Sequence, residues 1–90
     1  MIDEILDEFD FEKVHKVMVA LDWRWHNTDG VPSLGDLRRM ARSLLQNVVS
    51  SRKIGTAASG GFTAFMHHGV LGLRFEVSNY EIELEKGIGQ

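Results

Sequence analysis

The chain has 90 residues, a net charge of −3, no cysteine and a hydrophobic content of 43%. This length supports only one hydrophobic core, so we expect a single domain over residues 1–90. The absence of cysteine excludes disulfides and thiolate metal sites, and the acidic balance disfavours general nucleic-acid binding. The N-terminus lacks the features of a signal peptide, and no apolar run reaches the roughly 18 residues of a membrane span. We therefore expect a cytoplasmic protein without membrane contact.

Charge is unevenly distributed along the chain. No Asp or Glu occurs from Leu37 to Phe75, whereas acids crowd the first twelve residues and the segment 76–85. Complementary acidic and basic segments in so small a chain favour a homo-oligomer. The basic residues of the acid-free segment are Arg38, Arg39, Arg42, Arg52, Lys53 and Arg74.

The first elements are predicted from apolar spacing. Residues 1–9 form an acidic N-terminal segment that adds either a short helical turn or an arm. Asp10 is expected to cap a helix with one apolar face. The segment Trp23-Arg24-Trp25 then predicts a short strand or extended stretch, and HNTDG predicts a turn. The apolar face of the helix consists of Phe11, Val14, Val17, Met18 and Leu21.

The second predicted helix opens at Ser33, which with Asp36 resembles a capping box, and ends near Arg52. Helical geometry places Arg38, Arg39 and Arg42 beside its apolar stripe. The stripe consists of Leu34, Leu37, Met40, Ala41, Leu44, Leu45, Val48 and Val49.

A change of period after this helix predicts a sheet. GTAASGG, residues 55–61, is expected to be a loop, and the alternation that follows predicts an antiparallel hairpin turning at His68-Gly69. YEIELE can add a third strand, and residues 86–90 are expected to be a frayed tail. The expected fold class is α+β, with two helices packed on a small antiparallel sheet.

The acid-free segment is the strongest candidate for a binding site. The spacing Gly55-x-x-x-x-Gly60 lacks the Lys-Ser/Thr of a phosphate-binding P-loop, and a helix precedes it, so a nucleotide-hydrolysing P-loop is excluded. Its backbone amides, with neighbouring arginines, can still hold an anion. The alternatives are a plain linker for the loop, and for the arginines a solvated helix flank or ion pairs with the acidic segment or a second subunit. Trp25 either stacks on a ligand or belongs to the core.

The pattern of residues indicates neither a catalytic site nor a metal site. The four histidines lack the spacing of a metal site, and no catalytic triad spacing links Ser, His and Asp. We therefore expect no metal, no cofactor and no enzymatic activity.

Three segments, FDFEKVHKVMVALDWRW, GVPSLGDLRRMARSLL and GGFTAF, resemble a widespread group of small uncharacterised proteins of tailed bacteriophages and prophages. The resemblance covers roughly residues 9–77. It implies an accessory phage protein acting in the bacterial cytoplasm, and it assigns no site residue.

Two functional hypotheses follow, both non-enzymatic and both directed at a host, for example a host defence. In the first, an oligomer sequesters an anionic nucleotide-type ligand whose purine stacks on Trp25 or Phe62. In the second, the protein inhibits a basic host protein through its acidic N-terminal segment, and a third interpretation is a small structural phage component. The ligand-binding residues of the first hypothesis are Arg38, Arg39, Arg42, Arg52, Lys53, Thr56, Ser59, Gly60, Gly61 and Trp25. The partner-binding residues of the second are Asp3, Glu4, Asp7 and Glu8.

Overall fold

The computed structural model describes residues 1–51, 55–77 and 79–87, and the described residues form three helices and four strands. The strands make one antiparallel sheet in chain order. The α+β class and the sheet are as predicted, and the acidic N-terminal segment forms a third helix. The elements are α1 (Ile2–Glu8), α2 (Phe11–Leu21), α3 (Leu34–Ser50), β1 (Gly55–Ser59), β2 (Phe62–His67), β3 (Val70–Val77) and β4 (Tyr80–Gly87).

The predicted caps define where α2 and α3 begin. The Asp10 carboxylate accepts the Lys13 N–H at 3.0 Å. At α3 the Ser33 hydroxyl accepts the Asp36 N–H at 3.2 Å, and the Asp36 carboxylate accepts the Ser33 N–H at 3.1 Å. This reciprocal pair is a capping box, which satisfies two amides that the first turn leaves without helical partners.

The core lies between the helices and one face of the sheet. α3 packs over β1, β2 and β3, while α1 lies beside α3 and over β4. The stripe of α3 is narrower than predicted, because Leu34 and Val49 are 43% and 41% exposed at its margins. The buried apolar residues are Ile5, Leu6, Phe9, Phe11, Val14, Val17, Met18, Leu37, Ala41, Leu44, Leu45, Val48, Phe62, Ala64, Leu71, Leu73, Phe75 and Val77.

The sheet is larger than predicted. Residues 55–59, expected to be part of a loop, form an edge strand paired with β2, so the loop prediction holds only for the Gly60-Gly61 turn. The turn at His68-Gly69 is confirmed, with both residues at positive φ. β4 runs to Gly87, so the predicted tail starts too early, and residues 88–90 lie outside the described part of the chain.

The opposite face of the sheet, here called the outer face, carries no helix among the described residues. Gly72 is buried there because the ring of Phe65, its neighbour on β2, lies across it. A glycine leaves room for an aromatic side chain on the neighbouring strand. The Arg74 guanidinium lies 5.7 Å from the centre of that ring. None of the described helices has the length and apolar character needed to cross a membrane.

Candidate functional site

The predicted arginine cluster lies on α3, and its members are engaged in ion pairs. Arg38 donates to the Asp7 carboxylate at 2.6 Å and to the Leu6 carbonyl at 3.3 Å. Arg42 pairs with Asp3 in the same way. The two arginines are one helical turn apart, as are the two aspartates, so the pairs fasten α1 to α3 side by side. Of the alternatives considered from the sequence, the one that applies to Arg38 and Arg42 is an ion pair with the acidic N-terminal segment.

The other described arginines are also paired with carboxylates. Arg39 pairs with Asp36 within the first turns of α3, and Arg24 pairs with Asp22 at 3.1 Å. On the outer face Arg74 approaches Glu83 to 3.4 Å. Each arginine in the described part of the chain therefore has an acidic partner, and an anionic ligand would have to displace a carboxylate. Arg52 and Lys53 lie outside the described residues.

The pKa of the Asp36 carboxyl is lowered from its ordinary value. The main causes are the hydrogen bonds from the Ser33 backbone and hydroxyl, and Arg39 adds a smaller electrostatic contribution. Because hydrogen bonds to the charged form favour ionisation, this carboxylate stays charged to a lower pH than an ordinary aspartate. The arrangement stabilises the start of α3 and leaves no free charge for a ligand there.

Trp25 and the Gly60-Gly61 turn come together, as the predicted ligand site requires. The Trp25 indole N–H donates to the Gly60 carbonyl at 3.1 Å. A methyl group at position 60 would lie 2.7 Å from the Trp25 ring, so only glycine permits this contact. The cleft beside them has a volume of about 290 Å³. Its walls include Trp23, Arg24, Trp25, His26, Met40, Ser59, Gly60 and Gly61.

The other predicted ligand residues in the described part of the chain do not reach this cleft. Met40 borders it, and Arg38 and Arg42 each lie two residues from Met40, which places them about 200° away around the helix. Thr56 is at the opposite end of β1 from Ser59. Phe62 is 1% exposed within the core, so the prediction that it stacks on a purine is wrong. The described residues of the predicted ligand site therefore do not form one site, because some lie on opposite flanks of α3 and others lie on the sheet.

The two acidic segments of the chain pack against each other, although they lie at opposite ends of the sequence. α1 packs against β4, so the acidic segments from both ends of the chain meet at one edge of the sheet. Glu76 stands directly opposite Glu81 in the β3–β4 register, and Glu83 and Glu85 follow on the same face. We call Glu76, Glu81 and Glu85, which share the outer face of the sheet, the acidic edge. The sequence signal for these glutamates was the alternation of YEIELE with the preceding Glu76.

Two of the acidic residues predicted to bind a partner, Asp3 and Asp7, form ion pairs within the chain. Asp3 and Asp7 face α3, whereas Glu4 lies about 100° further round α1 from Asp3 and is exposed. Among the described residues no three His, Asp or Glu side chains lie close enough to hold a metal ion. Comparisons with protein-family models, with curated proteins and with solved structures found no match to this chain.

Proposed function

We propose that this protein is a non-enzymatic accessory phage protein that neutralises a basic host protein by binding it through the acidic edge. The observation that carries the proposal is the register of β3 and β4, which sets Glu76 against Glu81 on an open sheet face. The resemblance of residues 9–77 to phage proteins supplies the proposed origin and the cytoplasm of a bacterial host as the location.

The like-charge pair of Glu76 and Glu81 lowers the stability of the fold, and the fold does not require glutamate at either position. Acids directly opposite each other across two strands destabilise a sheet, by roughly 0.2–1 kcal/mol on the scale of cross-strand pairs. Both positions are exposed, so a neutral side chain would fit equally well. Local choices that work against stability concentrate at functional sites. A partner rich in Lys and Arg would turn this repulsion into attraction.

The charge of the acidic edge also indicates the class of partner. Arg74, the described arginine on this face, already pairs with Glu83, so it offsets only one of the neighbouring glutamates. A surface of one sign accelerates association with an oppositely charged surface and makes it dependent on salt. A basic, nucleic-acid-binding host protein presents such a surface.

A second candidate function, sequestration of an anionic nucleotide-type ligand, is favoured by the cleft at Trp25. That cleft gathers two tryptophans and the Gly60-Gly61 turn, and Arg24 lines it. Exposed ion pairs contribute only about 0–1 kcal/mol, so a phosphate could replace Asp22 as the partner of Arg24 at small cost. The ion pairs of Arg38 and Arg42 weigh against those two residues as ligand contacts.

Two variants separate these functions. The first carries Glu76→Gln, Glu81→Gln and Glu85→Gln, and the matched control carries Arg38→Gln and Arg42→Gln, with folding checked by circular dichroism. Each protein is used as bait in a bacterial lysate, and captured basic proteins are purified and titrated back by calorimetry at two salt concentrations.

The proposal expects a basic protein that binds the native chain and the arginine variant, binds more weakly in high salt and does not bind the glutamine variant. Equal binding by both variants contradicts the proposal. Thermal melting against nucleotides tests the second candidate in parallel, because a ligand at about 100 times its Kd adds about 2.7 kcal/mol. A shift that Arg24→Gln abolishes would establish the second candidate instead.

A further inference from the structure

The two edge strands of the sheet differ in charge. β4 carries Glu81, Glu83 and Glu85, whereas β1 reads Gly-Thr-Ala-Ala-Ser and contains no charged residue. β1 pairs with β2 alone, so the backbone groups along its other side have no strand partner in the described chain. Natural proteins protect such edges with charges, proline or bulges, because an unprotected edge pairs with another strand. β1 has neither charge nor proline.

The part of α3 that follows Arg42 is uncharged as well. α3 packs over β1, and the helix side that turns away from Arg38 and Arg42 carries Ser43, Asn47 and Ser50. A small cleft of about 110 Å³ opens between the end of α3 and β1, with Ser51 and Gly55 in its wall. In a chain with 26% charged residues, neither the described residues 43–51 nor β1 carries a charged side chain.

We infer that β1 is a self-association edge, at which two copies of the chain pair their β1 strands antiparallel about a two-fold axis through Ala57. A two-fold interface brings the same surface of each copy together, so it must complement itself. β1 can complement a second copy of itself, because no like charges meet when two β1 strands pair. β4 cannot, because three glutamates of one copy would meet three of the other.

The register about Ala57 fits the side chains. Gly55 of one copy faces Ser59 of the other, so the residue without a side chain meets the one with a hydroxymethyl group, beside the cleft under α3. Thr56 faces Ala58 on the outer face, where both are exposed. Pairing of alternate residues over five positions gives roughly four to six backbone hydrogen bonds. The product is a continuous eight-stranded sheet with an acidic edge at each end.

The first test measures the mass of the full-length protein by sedimentation equilibrium over a concentration series. The inference expects a dimer, and expects Thr56→Lys with Ala58→Lys to weaken dimerisation by about tenfold or more, because lysines on an edge strand oppose pairing. The matched control carries Val19→Lys and Ala20→Lys, two exposed positions of α2, and should dimerise like the native chain. A native chain that stays monomeric, or equal behaviour of both variants, overturns the inference.

A second test does not depend on the lysine variant folding. Opposed residues in an antiparallel pair have Cα atoms about 4.5–5.5 Å apart, which lies within the range that a disulfide spans. Because the chain has no native cysteine, Ala57→Cys should form an interchain disulfide under mild oxidation, whereas Ala20→Cys should not. Equal cross-linking of both variants, or none in Ala57→Cys, places the interface elsewhere and rejects the register.

Discussion

The two edge strands of the sheet, β4 and β1, differ in how their exposed backbone groups are protected from pairing with another strand. β4 contains three glutamates and has α1 packed against it. β1 is short and uncharged, and small polar residues of α3 lie beside it. Charge on β4 prevents it from pairing with a copy of itself and suits a basic partner. Neutrality on β1 permits self-pairing. Our two proposals place partner binding at β4 and self-association at β1, and each can be tested by changing residues near one edge.

The largest effect is expected from removing the anchor of α1. Ile5 is fully buried, and Ile5→Ala should lower the free energy of unfolding by about 2–5 kcal/mol, because the cavity and the lost apolar burial add. Since α1 packs on β4, hydrogen exchange should show β4 amides losing more protection than those of β1. Chemical denaturation measures the stability, and Val19→Ala, at a residue that is 55% exposed, is the control. Equal loss of protection at both strands would mean that α1 supports the whole sheet.

A second large effect is expected at Gly72, next to β4. An added methyl group would lie 2.2 Å from the Phe65 ring and 2.9 Å from the Leu84 carbonyl, so Gly72→Ala should destabilise the protein by about 1–3 kcal/mol. Gly35→Ala is the matched control, because its nearest neighbour is 3.6 Å away and alanine favours helix. Thermal unfolding should therefore show opposite shifts. A neutral Gly72→Ala would mean that Phe65 can leave the glycine without cost.

The like-charge pair on the acidic edge should give a smaller effect of opposite sign. Glu81→Gln removes the repulsion from Glu76 and should stabilise the protein by roughly 0.2–1 kcal/mol, and the gain should shrink as salt screens the native pair. Asp29→Asn, which also removes one negative charge but at an exposed loop position, is the control and should leave stability nearly unchanged. Denaturant titrations at two salt concentrations measure both. A loss of stability in Glu81→Gln would show that Glu81 has a favourable role in the fold.

The smallest effect is expected at the start of α3, away from both edges. The pKa of Asp36 is lowered on folding, so its carboxylate adds stability above the pKa it has in the unfolded chain, and that stability is lost as the pH falls through the folded value. Asp36→Asn should therefore lower the Tm near neutral pH, and the native and variant curves should converge in acid. Melting curves over the acidic range measure this. A constant difference at all pH values would assign the effect to packing.

Local patterns predicted part of the molecule because their causes are local. The capping box of Ser33 and Asp36 needs only four residues, and the hairpin turn needs only His68 and Gly69 with alternating neighbours. The same reasoning missed β1, since Gly-Thr-Ala-Ala-Ser has weak strand propensity. That strand forms because the open edge of β2 supplies hydrogen-bond partners, which no local pattern records.

The candidate sites were predictable in composition and not in arrangement. The sequence marked Trp25 and the Gly60-Gly61 turn, and the structure joins them by one hydrogen bond. It also marked the arginines of α3, but could not decide between a ligand and the acidic segment as their partner. Contacts such as Arg38 with Asp7 span 31 positions, and such distances close only when α1 packs on α3.

The sequence by itself determined the α+β class, the start of α3, the turn of the central hairpin and the separation of acidic from basic segments. These follow from periodicity, capping and composition, which act over a few residues. Only the tertiary structure decided that the described arginines are paired, that the two acidic ends meet beside β4, and that Glu76 opposes Glu81. Charge counts are additive along a chain, but the partner of a charge depends on which elements pack together.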